Sequence, residues 1–349
     1  MDQNKDELYN KLIDISKIDT EDQFYNILIM ANSPEERSVK SLERVLDKIK
    51  LDTCIFIVFT DLLEYKKQGI DNWLTYDERN IDALTKKKWK DNLVKIENLL
   101  RQKNINFLKI EGKFFESNNI IKKIKSSVKS DDKIIFDITS FPKNFILSIL
   151  RWIEASEITC VYTVAEHEKN SESYSIGVKK IAALRGFEGD IRARNDLLIL
   201  LLGYEGYRSL AVLNRHEPYK ALALVGDPKN DERQEYIEIA KKNNSFLLDH
   251  NMVIESSVSS IEHPFIIFQE IENSINNFIN NLEKKESEGY NIFISPLGTK
   301  IQTIALYIYW LKHPDVQIVY PFPTKRRIGT GKAVNTYIFK IKLEKKESQ

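Results

Sequence analysis

The chain has 349 residues, in which 52 lysines and arginines nearly balance 51 aspartates and glutamates. This balance excludes a strongly charged surface of the kind that binds nucleic acid or membranes broadly, so a basic site must be local. The length leaves room for two domains. No run approaches the roughly 20 apolar residues of a membrane span, and the first residues carry no signal-peptide pattern. We therefore expect a cytoplasmic protein with no membrane partner.

The sequence lacks the usual markers of metal, thiol or cofactor chemistry. Cys54 and Cys160 lie far apart in apolar runs, which favours two buried thiols over a disulfide or a metal pair. The five histidines are scattered without metal-ligand spacing, so we expect no metal site and no cofactor. The hydrolase, NTPase and dinucleotide fingerprints are also absent. Whether the chain is an enzyme stays open.

Strand-like and helical runs alternate through the first half, a pattern typical of parallel βαβ units in a sheet covered on both faces. An insertion at about residues 62–88 interrupts this half, and we expect a loop or lid there, because loops at the carboxyl ends of parallel strands often carry function. The predicted strands are 27–30, 55–59, 106–110, 133–137 and 159–164, and the predicted helices are 34–49, 87–103, 120–128 and 142–155.

The second half repeats this alternation. Its helix near 268–282 has apolar residues at steps of three and four, so one face is predicted to be buried. The predicted strands are 197–202, 221–225, 245–248, 291–295 and 317–320, and the other predicted helices are 206–214, 231–243 and 299–312. A further strand is expected at 334–341, and a plain β-hairpin is one interpretation of the chain around it.

Three segments of the first half recur in the same order in the second half, which indicates an internal repeat. The matched pairs are 27–38 with 198–209, 136–143 with 293–300, and 174–179 with 327–332. The sequence therefore predicts an α/β fold of two tandem Rossmann-like units with mostly parallel sheets, related by internal pseudo-symmetry. We place the first unit at 1–184 and the second at 185–349.

Two repeated loops lie where parallel sheets bind ligands, outside the carboxyl ends of strands and at helix starts that favour anions. They combine hydroxyl groups with a lysine, which suits phosphate binding. Alternatively, Thr139 and Thr299 are only helix N-caps and the lysines are solvated. The candidate ligand-binding residues are Thr139, Ser140 and Lys143 in the first loop, and Gly298, Thr299 and Lys300 in the second.

Arginines lie near the first helix of each half and in a late basic segment. At the helix starts they could contact phosphate or ribose, or form a local pair with a glutamate. In the late segment they could contact a ligand or lie solvated in the hairpin. The candidates are Arg37 and Ser38, then Gly203, Glu205 and Arg208, and then Arg326, Arg327 and Lys332.

The strand, the loop with Asp137, Thr139 and Lys143, and the apolar helix after it resemble the CRISPR-associated Rossmann fold, as does the second copy at 295–300. Domains of that family bind cyclic oligonucleotides and usually act in pairs, which a tandem chain would form internally. The resemblance implies an anionic nucleotide held between the pseudo-symmetric halves, a role in antiviral defence, and a separately encoded effector or partner protein. In this chain Phe141 and Pro142 replace a glycine-rich step, and no nuclease or DNA-binding effector follows.

Three interpretations stay open. The chain is a nucleotide-binding sensor or regulatory subunit, an enzyme that cleaves or modifies such a nucleotide as a phosphodiesterase would, or a scaffold subunit of a defence complex. A homodimer is compatible with each of them.

Overall fold

A computed structural model describes residues 8–9, 11–18, 23–60, 76–113, 117–153, 155–166, 175–193, 195–229, 234–282, 289–326 and 332–343. At 76–82, 176 and 325–326 it describes the backbone alone. The chain divides into two compact units. The first holds Met1–Phe145, Trp152–Ser171 and Ile328–Leu343, and the second holds Ile146–Arg151, Glu172–Arg327 and Glu344–Gln349.

The first unit is built on a seven-stranded sheet. Its strands are β1 (Ile13–Asp14), β2 (Phe24–Ala31), β3 (Lys50–Phe59), β4 (Asn106–Gly112), β5 (Ile134–Asp137), β6 (Glu157–Ala165) and β13 (Ala333–Lys342). Its helices are a 3-10 turn (Ile15–Lys17), α1 (Glu36–Lys48), α2 (Tyr76–Gln102), α3 (Ser117–Ser126) and α4 (Lys143–Trp152), of which residues 146–151 group with the second unit. The order is β1-β13-β6-β5-β2-β3-β4, with β2 to β6 parallel and β13 antiparallel to β6.

The second unit is built on a six-stranded sheet. Its strands are β7 (Ser175–Ala183), β8 (Asn195–Leu201), β9 (Lys220–Asp227), β10 (Val253–Ser259), β11 (Tyr290–Pro296) and β12 (Gln317–Arg326). Its helices are α5 (Gly206–His216), α6 (Glu235–Asn243), α7 (Ser245–Leu248), α8 (Pro264–Asn280) and α9 (Lys300–Lys312). The order is β10-β9-β8-β11-β12-β7, with β8 to β12 parallel and β7 antiparallel to β12.

Both sheets therefore share one plan: the parallel strands lie in the order third, second, first, fourth, fifth, and an antiparallel strand follows the fifth. The expected α/β fold of two tandem Rossmann-like units is confirmed. After its first two polar residues, β8 continues as five buried apolar residues, 197–201, as is typical of a parallel strand covered on both faces.

The antiparallel strand of each sheet comes from the other half of the chain. β7 precedes the second repeat yet pairs with β12, and β13 ends the second repeat yet pairs with β6. The expected division at residue 184 is corrected accordingly, because β7 belongs to the second sheet and β13 to the first. The plain hairpin is also wrong, since β13 pairs with β6 and β1 instead of with β12. We call β7 and β13 the exchanged strands.

Two local expectations also change. Residues 245–248 form the short helix α7, and the edge strand is β10, because a short apolar run does not by itself distinguish strand from helix. Residues 76–88 of the expected insertion begin α2 instead of forming a loop, and 62–75 lie outside the described residues.

The two predicted buried thiols are confirmed, and the tryptophans of α4 and α9 are half-buried or buried. Trp310 is 8% exposed and its ring centroid lies 4.7 Å from that of Phe187, while Trp152 is half-buried. Cys54 and Cys160 are free and buried. Burial raises the pKa of both thiols, so neither is a ready nucleophile near neutral pH.

None of the described helices is long and apolar enough to cross a membrane. Among the residues that the structure covers, no group of three or more histidine, cysteine or carboxylate side chains could hold a metal ion.

Candidate functional site

The strand order reverses between the first and fourth parallel strands of each unit, and an open α/β sheet places ligands at that point. We call residues 31–38 and 137–144 the first edge, and residues 202–208 and 296–302 the second edge. The first edge follows β2 and β5, and the second follows β8 and β11. Both edges hold the starts of two helices.

Thr139 of the first edge connects two strands of the sheet. Its Oγ1 accepts a hydrogen bond from the backbone N–H of Thr163 on β6 at 2.9 Å, and its own N–H donates to Oδ1 of Asp137 at 2.9 Å. The side chain is fully buried. A buried hydroxyl used in this way positions the loop, and is not open to a ligand from solvent.

The start of α4 is held by aromatic packing. The Phe141 ring lies 5.2 Å from the Phe136 ring and 6.4 Å from the Phe59 ring, in the tilted and edge-on geometries that aromatic pairs prefer. Lys143, the first residue of α4, is half-buried. Within the described chain, Ser140 Oγ and Asn144 Oδ1 are buried without a hydrogen-bond partner, so this loop retains unused polar groups beside the lysine.

Arg37 forms the local pair that the sequence left as an alternative. Its Nε donates to the carboxylate of Glu35, the N-cap residue of α1, and its guanidinium also donates to the carbonyl of Thr163 at 3.5 Å. Ser38 is fully buried, and its hydroxyl lies 3.1 Å from the carbonyl oxygen of Ser33 and 3.0 Å from that of Glu35. Both side chains therefore form hydrogen bonds that stabilise the start of α1.

Arg208 of the second edge is more deeply enclosed, at 5% exposed. It donates to Oε2 of Glu205 at 2.8 Å and to the carbonyl of Pro321 on β12 at 2.6 Å. Its guanidinium lies 5.3 Å from the centre of the Tyr320 ring. Burial by itself would lower the pKa of Arg208, but Tyr320 and Glu205 outweigh that effect and raise it. The arginine is a fixed cation of the fold.

Glycine at 203 is required by close packing of protein backbone. A Cβ atom there would lie 2.2 Å from the carbonyl oxygen of Leu297, and one at Gly206 would lie 1.7 Å from that of Asn243. These glycines therefore allow two pairs of backbone segments within the second unit to approach each other closely.

Thr299 is the N-cap of α9 in a complete capping box. Its Oγ1 accepts from the N–H of Gln302 at 3.1 Å, and Gln302 Oε1 accepts from the N–H of Thr299 at 2.8 Å. The Thr299 hydroxyl also donates to the carbonyl of Ser260 at 2.8 Å. A Cβ at Gly298 would lie 2.1 Å from Gln302 Oε1, so glycine makes room for the cap. Lys300, the first residue of α9, is half-buried.

The described part of the late basic segment is divided between the two units. Arg327 lies outside the described residues, and Arg326 is described only as the last backbone position of β12, in the second unit. Lys332 is exposed in the first unit, and its carbonyl accepts from the N–H of Glu166 at 2.7 Å. These residues stay candidates from sequence alone.

Three residues that the sequence interpretation omitted support the edges, Thr163 through its backbone and Ser175 and Thr336 through their hydroxyls. Thr163 contacts both Thr139 and Arg37, and Ser175 donates to Glu205 at 2.7 Å. Thr336 lies 2.7 Å from Thr163, hydroxyl to hydroxyl. The sequence match of 174–179 with 327–332 lies at or near the exchanged strands, so it could have drawn attention to them. It could not predict which sheet each strand joins.

A cavity of about 300 Å³ lies in the first unit beside α1 and β13. Acidic and basic groups share its wall, so its charge does not select an anion. The lining residues are Asp14, Ile15, Ser16, Arg44, Asp47, Lys48, Val334, Asn335 and Thr336.

No family model matches the sequence, and no curated protein matches it. Among solved structures, the chain is similar in fold to a Type III CRISPR defence DNA nuclease activated by cyclic oligoadenylate. The superposition has a TM-score of 0.48 at 10% sequence identity, and it covers 85% of this chain and 65% of that one. At this distance the likeness carries no conclusion about ligand or activity.

Proposed function

We propose that this chain is a nucleotide-binding sensor or regulatory protein, and that Lys143 and Lys300 bind the phosphates of its ligand. One observation carries the proposal. Each lysine is the first residue of the helix that follows the fourth parallel strand, at the carboxyl edge of its unit. The contacts around the starts of α4 and α9 differ, yet both units put a lysine at the same helix position.

The hydroxyl groups of Thr139 and Thr299 are less suitable phosphate ligands than the lysines, because both already form hydrogen bonds within the protein. Thr139 joins the loop to β6, and Thr299 is satisfied by the capping box with Gln302. Neither contact needs a lysine as the first residue of the helix that follows. A lysine beside the N–H groups of a first helical turn provides compact positive charge where the helix dipole already favours an anion.

The ligand class follows from the resemblance of the two loops to the CRISPR-associated Rossmann fold. A cyclic oligonucleotide is therefore the first ligand to test, with signalling in antiviral defence and a separately encoded effector as the corresponding role. Sites at the edges of Rossmann-like sheets suit nucleotides generally, so linear oligonucleotides belong in the same panel.

The test begins with mass spectrometry of small molecules retained by the purified protein, followed by calorimetry against linear and cyclic oligonucleotides. Lys143→Ala and Lys300→Ala should each weaken binding by about tenfold to a hundredfold, the value of a lost charge-assisted hydrogen bond. The matched controls are Lys50→Ala and Lys220→Ala, which alter the first residues of β3 and β9 at the opposite ends of the parallel strands.

Equal binding by the lysine variants and the wild type would reject these lysines as ligand contacts. No binding by the wild type to any panel member would favour the scaffold interpretation. If the bound nucleotide is consumed during incubation, and more slowly in the lysine variants, the chain is an enzyme that acts on it.

A further inference from the structure

We infer that each edge is positioned in part by a residue from the other half of the sequence. Thr336 of β13 positions the first edge, and Ser175 of β7 positions the second. The inference rests on the proposed function for its meaning, because positioning matters only if the edges bind a ligand. Both residues lie on the exchanged strands, and both are buried.

Thr336 acts on the first edge through Thr163. Arg44 has only donors, so the Thr336 hydroxyl accepts from Arg44 at 2.9 Å and its own proton is available to Thr163 Oγ1 at 2.7 Å. The backbone of Thr163 in turn donates to Thr139 and accepts from Arg37. One hydroxyl contributed by β13 therefore contacts Thr163, whose backbone bonds to both loops of the first edge.

Ser175 acts on the second edge through Glu205. A carboxylate only accepts, so the Ser175 hydroxyl donates to Glu205 Oε1 at 2.7 Å, and the Tyr207 hydroxyl, 2.6 Å away, donates to Ser175. The other oxygen of Glu205 receives Arg208, whose second hydrogen bond reaches Pro321. Ser175 thereby holds the N-cap carboxylate of α5 in the position that the buried arginine requires.

The two arrangements have the same origin in the chain. β6 carries Thr163 and ends at Ala165, and β7 then begins at Ser175 in the second sheet. β12 carries Pro321, and the chain beyond its end at Arg326 re-enters the first sheet as β13 at Ala333. Each edge is thus completed by a strand from the other half, and neither half contains all the groups that position its own candidate residues.

Hydrogen exchange of the full-length protein, followed by mass spectrometry without any nucleotide, tests this inference. Thr336→Val keeps the shape of the side chain and removes its hydroxyl. Exchange at residues 139–145 should become about fivefold to tenfold faster, while exchange at 203–209 stays unchanged. Ser175→Ala should give the reverse pattern. Thr336→Ser restores the hydroxyl and should restore slow exchange, and Val334→Ala, an exposed change on the same strand, is the control.

Unchanged exchange at 139–145 in Thr336→Val, or equal exchange in Thr336→Ser and Thr336→Val, would overturn the inference. If Thr336→Val does not fold, Arg44→Met removes the donor to the same hydroxyl and should accelerate the same peptide by a smaller factor. Because the measurement needs no ligand, a protein that binds no nucleotide can still pass it. The proposed function and this inference therefore fail separately.

Discussion

The two edges occupy the same place in the same strand order, yet different chemistry holds them. The first edge is packed by the rings of Phe59, Phe136 and Phe141 and tied to β6 by a threonine. The second edge is closed by a capping box and by loops whose backbones approach through glycine. At the helix after the fourth strand, the two share the position of the helix start and of its lysine, which is why those lysines are the functional candidates.

The arginines at the first helix of each unit can be compared in the same way. Each pairs with the glutamate at the N-cap and donates to a carbonyl on the fifth parallel strand. They differ in burial: the Arg208 and Glu205 side chains are 6% and 15% exposed, against 15% and 17% for Arg37 and Glu35. Removing the arginine alone should therefore cost more stability at the second edge than at the first.

Replacing the buried arginine should have the largest effect on stability. Arg208→Met leaves Glu205 charged in a buried site and removes the donor to Pro321, so the free energy of unfolding should fall by about 3–5 kcal/mol. Arg37→Met should cost less, about 1–3 kcal/mol, because Arg37 is the more exposed of the two arginines. Urea denaturation followed by circular dichroism measures both.

The double variant Glu205→Gln with Arg208→Met separates the unpaired charge from the lost packing. It should recover part of the stability that Arg208→Met loses, since no buried charge remains without a partner. Equal losses in Arg208→Met and Arg37→Met would show that the difference in burial between the two edges has no energetic consequence.

A smaller difference is expected at the first residue of the same two helices. Gly206→Ala places a methyl group 1.7 Å from a backbone carbonyl oxygen, so backbone must move. The free energy of unfolding should fall by about 2–3 kcal/mol. Glu36→Ala at the first residue of α1 is exposed and should change it by less than about 0.5 kcal/mol. A neutral Gly206→Ala in the same urea experiment would mean that the α5 start adapts to a side chain.

The smallest stability effect should come from the cap of α9. Thr299→Ala removes the capping hydroxyl and should lower the free energy of unfolding by about 1 kcal/mol. Thr299→Ser keeps that hydroxyl and should stay within a few tenths of the wild type, which thermal and urea unfolding can resolve. If the serine variant loses as much as the alanine variant, the methyl group, and not the cap, stabilises this loop.

Sequence patterns predicted most of the elements because those patterns are local. Alternating apolar strands and amphipathic helices gave the α/β class, and the repeat gave two units with a helix start at each candidate loop. Residues 245–248 show the limit of this reasoning, since Phe246, Leu247 and Leu248 form an apolar run short enough for either structure. The run is a helix, and Phe246 is 83% exposed.

By itself, the sequence determined the repeat, the alternation of strands and helices, and the lysines that begin α4 and α9. Only the tertiary structure decided which sheet β7 and β13 join, and hence where the units divide. It also decided that the hydroxyls of Thr139 and Thr299 bond to protein groups, and that Arg208 pairs with Glu205 and Pro321. The reason is distance along the chain: Thr163 and Thr336 are 173 residues apart, and Arg208 and Pro321 are 113 apart. A strand pattern or a charged side chain specifies what it can pair with, but the partner is known only when folding has brought it there.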